Sequence, residues 1–179
     1  MAETTLVADK RGAERMGAAE KEELYEVLGE QIRAVIEPER DLLAAMASIV
    51  CILHNALPYY FWTGFYRRVE REKLLIGPYQ GTLGCLDITF SQGVCGAAAR
   101  ERRTLIVADV HAFPGHIACD PNSASEIVVP VFDARDELIA VLDVDSHLRD
   151  AFDEVDQRHL VGIVALLREK EPLPLIYGG

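Results

Sequence analysis

Residues 125–145 read Ser125-Glu126-Ile127-Val128-Val129-Pro130-Val131-Phe132-Asp133-Ala134-Arg135-Asp136-Glu137-Leu138-Ile139-Ala140-Val141-Leu142-Asp143-Val144-Asp145. Two apolar, β-branched runs of strand length, Ser125 to Asp133 and Glu137 to Asp145, flank the short polar segment Ala134-Arg135-Asp136. That arrangement predicts a β-hairpin, and a hairpin makes its strands antiparallel neighbours. Upstream, Tyr59 to Val69, Lys73 to Tyr79, Cys85 to Phe90 and Thr104 to Ala108 are further strand candidates. Gly77-Pro78 and the segment Gly81 to Gly84 supply turn chemistry between them.

Helical periodicity occupies the remainder. Lys21 to Ile36 predicts an amphipathic helix with Leu24, Val27, Leu28, Ile32 and Val35 on its apolar stripe. After Pro38 a second helix runs from Arg40 to about Ala56, apolar nearly all round and expected to be buried on most sides. Gly93 to Arg102 predicts a short alanine-rich helix, and Asp153 caps a last helix that buries Leu160, Ile163, Val164 and Leu167. Ala112 to Ser123 holds Phe-Pro-Gly-His and Asp-Pro-Asn-Ser, too many breakers for a regular element, and reads as a loop. The order of elements predicts an α+β domain, an antiparallel sheet with helices packed on one face. Residues 1–19 read as a mobile N-terminal extension, 20–171 as the domain and 172–179 as a C-terminal tail.

The chain has 179 residues, half of them apolar, enough for a core without metal or disulfide support. Its net charge of −11 opposes binding to nucleic acid or to an anionic membrane surface. With no signal-peptide core and no run long enough to span a bilayer, the expected location is the cytoplasm.

Four cysteines stand at positions 51, 85, 95 and 119, and none forms a Cys-x-x-Cys pair, so a structural zinc site is not expected. Cys51, inside Ile49-Val50-Cys51-Ile52-Leu53, reads as a small buried hydrophobe. Cys95 opens the short helix in Gly93-Val94-Cys95-Gly96, where free backbone N–H groups and the helix dipole are expected to lower its pKa. Cys119 lies in the long loop, a usual place for reactive groups carried by a rigid scaffold. The cysteines outside the helix at 40–56 are either a redox set or unrelated thiols.

Asp143 and Asp145 are two residues apart on one strand, so their side chains leave it on the same face. Either the strand runs out of the core there into a turn, or the two acids meet Glu126 in a pocket. In the second case the cluster is a receptor for an ammonium group. Mutual repulsion would also keep a proton on at least one carboxyl near neutral pH. His116, three residues before Cys119, either assists that thiol as an ion-pair partner or hydrogen-bonds the loop backbone.

These segments together resemble a known family. Cys85, Gly93-Val94-Cys95-Gly96-Ala97-Ala98, Asp109-Val110-His111, Gly115-His116-Ile117-Ala118-Cys119-Asp120, Ser125 to Pro130 and Val141 to Ser146 resemble the free methionine-R-sulfoxide reductases, a catalytic branch of the GAF domains. Phe61 to Tyr66 and Leu75 to Gly81 fit the same pattern, and the match runs from about Glu39 to Glu169. The resemblance implies a GAF-like, central six-stranded antiparallel sheet with helices on one face, usually in a homodimer. It implies Cys119 as attacking thiol and Cys95 or Cys85 as resolving thiol. Trp62 and Tyr66 would wall the methyl-sulfoxide end, with Glu126, Asp143 and Asp145 on the ammonium and the sulfoxide oxygen. No cofactor is implied beyond thioredoxin as external reductant, and no metal. The alternative from another class is a non-catalytic GAF sensor binding a small ligand such as a cyclic nucleotide. A pure dimerisation module would not need acids facing an aromatic wall.

Overall fold

The computed structural model describes residues 15–115 and 120–171. Of the expectations above, most of the N-terminal extension, the C-terminal tail, His116 and Cys119 lie outside the described residues. The element order is α1 (Ala18–Ile36), α2 (Leu42–Ala56), β1 (Trp62–Glu70), β2 (Lys73–Gln80), β3 (Asp87–Thr89), α3 (Gly93–Glu101), β4 (Leu105–Val107), a 3-10 turn (Val110–Ala112), β5 (Ser125–Phe132), β6 (Leu138–Ser146) and α4 (Glu154–Ala165). The six strands form one antiparallel sheet in the order β3-β2-β1-β6-β5-β4. Among the described residues, no helix is long and apolar enough to cross a membrane.

The predicted hairpin is β5–β6, with Glu126 opposite Asp145 and Val128 opposite Asp143. Its connection closes on Asp133, whose Oδ1 accepts from the backbone N–H groups of Arg135 and Glu137 at 2.9 and 2.8 Å. The strand expected over 85–90 shortens to three residues, and the chain before it is an open loop.

Side-chain alternation divides the core into two layers. Phe65, Ile127, Val129, Val131, Leu142 and Val144 leave one face and pack with α1, α2 and α4. Trp62, Tyr66, Val128 and Val141 leave the other face and pack with Val94, Cys95, Ala97 and Ala98 of α3. The three long helices therefore share one face as expected, and the short α3 covers the opposite one. Gly96 permits that cover: a Cβ there would lie 2.4 Å from the Thr89 carbonyl oxygen.

Three details of the helices depart from the sequence reading. The buried stripe of α1 is Tyr25, Leu28, Ile32 and Ile36, while Val27 and Val35 are 62% and 47% exposed. Tyr25 displaces the valines because its hydroxyl has buried polar partners that they cannot satisfy. The outer side of α2 is open, so Cys51 is exposed rather than buried, and Leu43 is exposed with it. Hydropathy marks a helix as apolar but does not say how many of its sides have neighbours.

The partners of Tyr25 form a buried network that joins α1 and α4 to the entry of β1. The Tyr25 and Tyr59 hydroxyls donate to Asp156 Oδ1 at 2.8 and 2.5 Å, and Lys21 Nζ donates to Asp156 Oδ2 at 2.5 Å. Lys21, itself buried, also donates to Asp153 and to the Ala151 carbonyl, both at 2.8 Å. Removing one member of a buried ion pair leaves the other uncompensated. Asp156→Ala should lower the unfolding free energy by about 3 kcal/mol in urea titrations. Pairing Lys21→Met with Asp156→Leu should recover much of that loss, because neither charge is then stranded.

Candidate active site

On the α3 side of the sheet, the register alone aligns the acids with the aromatic wall. Trp62 pairs across from Asp145 and Gly64 across from Asp143, while Glu126 faces Asp145 from the other side. All five positions point to one face, so β1, β6 and β5 place Trp62, Tyr66, Asp143, Asp145 and Glu126 in a single pocket. Cys95 on α3 closes its floor, and Leu83, Gly84, Asp120 and Ser123 from two loops form its rim. The strand does not run out into solvent at Asp143: β6 continues to Ser146, and Asp143 is only 6% exposed.

The aromatic wall is a stack. Trp62 lies over Tyr66 and Tyr79 with ring centroids at 5.7 and 5.5 Å and interplanar angles of 22° and 16°. Its Nε1–H donates to the Thr82 carbonyl at 3.0 Å, which fixes the indole plane. Gly64 makes the stack possible, because a Cβ there would lie 2.5 Å from both the Trp62 ring and Tyr79. Tyr79 was not identified from the sequence, since its place beside Trp62 follows from the β1–β2 register that sets it opposite Gly64.

Four carboxylates line the pocket, and among the described residues no Lys, Arg or His does. Among the described residues, Asp143 Oδ1 is buried without a hydrogen-bond partner. Burial pushes the Asp143 carboxyl up to about 6, although contacts with Cys95 and Glu126 act in the opposite direction. Burial likewise raises Glu126, and the negative charges of Asp143 and Asp145 raise it further. Asp145 is raised by burial and by Asp143, with a hydrogen bond from Ser123 resisting. Such a pocket demands a cation or holds protons.

The cysteines differ sharply. Cys95 Sγ lies 3.9 Å from Glu126 Oε1, fully inside the pocket wall. Burial pushes its thiol up, and the charges of Asp143 and Glu126 add to the rise. The sequence reading expected the opposite direction from the helix N-terminus. Desolvation and two nearby acids outweigh a dipole equivalent to about half a charge. Cys85, in the loop between β2 and β3, is engaged in a disulfide, whereas Cys51 and Cys95 are free thiols. That loop also carries Thr82, whose hydroxyl donates to Asp120 Oδ2 at 2.6 Å and ties the two rim loops together. Nothing in the local sequence pairs Thr82 with Asp120, which are distant in the chain.

Comparison with known proteins fits this arrangement. The GAF domain family model matches residues 36–168, which defines the class of the fold. The free methionine-R-sulfoxide reductase of Escherichia coli is 38% identical over 149 residues, 83% of this chain and 89% of that protein. The free methionine-R-sulfoxide reductase of Neisseria meningitidis, solved in complex with its substrate, superposes with a TM-score of 0.81. It is 40% identical and covers 88% of this chain and 93% of its own. The reduced form of the Staphylococcus aureus fRMsr gives 0.77 at 45% identity, over 81% of this chain and 93% of its own. The chain belongs to the GAF domain proteins and, among them, to the free methionine-R-sulfoxide reductase family.

Proposed function

We propose that the protein reduces free methionine-R-sulfoxide to methionine with a cysteine thiol, and that the acid pocket is where the substrate binds. The observation that carries this reading is the set of buried carboxylates with no cationic side chain beside them among the described residues, facing a stacked tryptophan. An ammonium group satisfies the acids and a methyl-sulfoxide packs on the indole. The reductase names and the substrate complex among the relatives point the same way.

Cys119, the residue before the pocket-lining Asp120, attacks the sulfoxide sulfur as thiolate. Glu126 gives its proton to the departing oxygen, Asp143 and Asp145 hold the ammonium, and Trp62 with Tyr66 walls the methyl end. Glu126 is the choice for the acid because burial, and after it the charges of both aspartates, keep its proton in place. The products are methionine and Cys119 sulfenic acid. A second thiol then condenses with the sulfenic acid, releasing water and leaving a disulfide. Cys85 fits that role better than Cys95, since Cys85 is already found in a disulfide and Cys95 is a buried, free, proton-retaining thiol.

A dithiol protein, thioredoxin in our reading, reduces the bridge by thiol–disulfide exchange. Leu83 and Leu86 on either side of Cys85 are 82% and 71% exposed, an apolar surround on which such a partner can dock. No metal or organic cofactor enters this cycle. The need for a reducing partner supports a cytoplasmic location, and the exposed Val27, Val35 and Leu43 of the outer helices support a homodimer.

The test is NADPH consumption with thioredoxin and its reductase, offering free R, free S and N-acetylated R sulfoxide separately. The free R form should turn over. N-acetylation, which removes the ammonium charge and leaves buried carboxylates unpaired, should lower kcat/KM by about 100-fold or more. Equal use of the acetylated substrate would remove the acids from recognition. No turnover of any form, with a working reductase system, would favour a ligand-binding sensor.

A further inference from the structure

We propose that Cys95, Glu126 and Asp143 form a site for one divalent ion of borderline softness, zinc first among them, and that this ion and the substrate exclude each other. One ligand atom from each of the three residues lies within 4.8 Å of the other two, and all three residues are buried. The sulfur and Glu126 Oε1 are 3.9 Å apart. In a tetrahedral zinc site, bonds of about 2.3 Å to sulfur and 2.0–2.2 Å to oxygen place such donors roughly 3.5 Å apart. Closing separations of at most 4.8 Å to that value takes side-chain movements of no more than about 1.3 Å per contact.

The donors come from three separate elements, α3, β5 and β6, whose backbones are held by the sheet and its cover. The independent sign that a ligand is wanted is Asp143 Oδ1, an oxygen of a pocket-lining residue that is buried and without a hydrogen-bond partner among the described residues. Among the described residues, no basic side chain of the lining neutralises it. Three protein donors with a fourth position open to the pocket is an incomplete tetrahedron, which water can close. A thiolate with only two carboxylates selects zinc or cadmium over magnesium and calcium, which prefer six or more oxygen ligands. The ion displaces the thiol proton, so binding releases protons.

Exclusion of the substrate rests on the reading of the pocket given above; the ion site does not. Two cations cannot share Glu126 and Asp143, so zinc acts as a reversible brake on an enzyme whose other cysteines stay available.

The experiment uses the oxidised protein, with Cys85 in its disulfide and Cys51→Ser to remove the exposed thiol. Cadmium is titrated and the ultraviolet thiolate-to-metal charge-transfer band is followed. One ion per chain is expected, displaced by zinc and unaffected by a large excess of magnesium. Glu126→Gln should weaken it by about tenfold or more and Cys95→Ser should abolish it, with circular dichroism checking that each variant is folded. A wild-type protein without the band, or a band that survives in Cys95→Ser, overturns the site. Free methionine sulfoxide, which the oxidised protein cannot turn over, should displace cadmium. A band that persists at saturating sulfoxide overturns the exclusion, and this readout is independent of whether the reduced protein is an active reductase.

Discussion

Cys119→Ser is expected to lose turnover of free methionine-R-sulfoxide by at least about a thousand-fold, since a serine hydroxyl is neither ionised nor comparably nucleophilic toward sulfur. The other cysteines cannot take over. Cys51 is on the exposed side of α2, away from the pocket, and Cys95 is held in its protonated form by burial and two acids. Cys85→Ser should behave differently: one equivalent of methionine per chain forms in a single turnover, and recycling then stalls. Cys95→Ser should stay within about tenfold of the parent, because the thiol only lines the floor. Quenched single-turnover assays with methionine quantified by chromatography separate these cases. A sulfenic-acid trap followed by peptide mass mapping should label position 119 in the Cys85→Ser protein. A full first turnover in Cys119→Ser would move the nucleophile elsewhere.

Asp143→Asn is expected to weaken substrate use by about 100-fold in kcat/KM while making the ligand-free protein more stable by on the order of 2 kcal/mol at neutral pH. The sign follows from linkage. Burial lifts the folded-state pKa of Asp143 to about 6 from an unfolded value near 3.8. Between those values the folded chain binds more protons than the unfolded one, so stability falls as pH rises through that window. Above it the full penalty of a buried, unpaired charge remains. Glu126 and Asp145 are raised in the same direction, which extends the fall to higher pH, and Cys95, Tyr66 and Asp120 are the other titratable groups facing the cluster among the described residues. The melting temperature of the ligand-free protein should therefore be higher at pH 5 than at pH 8. Asp143→Asn should flatten that slope, and so should saturation with substrate, whose ammonium compensates the carboxylates. A melting temperature that climbs steadily from pH 5 to pH 8 in the wild type would show that the cluster is not the destabilising element. The pocket thus holds a binding site at the expense of fold stability.

Several features of the fold were legible because they depend on short-range periodicity. The hairpin over 125–146 follows from two strand-length apolar runs and a polar connection with Asp133 at its start. The start of α4 follows from Asp153, whose carboxylate accepts from Val155 and Asp156 N–H groups. The pair Asp143 and Asp145 could be assigned to one face from their spacing alone. Their meeting with Glu126 remained one of two readings, since it depends on which strand pairs with which and in what register.

Where the reading failed, long-range packing decided against a local rule. Helix α1 buries Tyr25 instead of Val27 and Val35, because a polar network from α4 and the β1 entry receives the hydroxyl. Cys51 is exposed because one side of an apolar helix faces no other described element. The Cys95 thiol is raised rather than lowered because β5 and β6 bring Glu126 and Asp143 against it. By itself, then, the sequence determined the α+β class, the antiparallel hairpin, the candidate acids and their shared face, and the family, all of which rest on residue order and spacing. Only the tertiary structure decided that Tyr79 completes the aromatic stack, that one oxygen of Asp143, Oδ1, has no hydrogen-bond partner among the described residues and that Cys95 keeps its proton. Those properties are set by desolvation and charge at distances of a few ångströms between residues far apart in the chain, which a linear pattern does not encode.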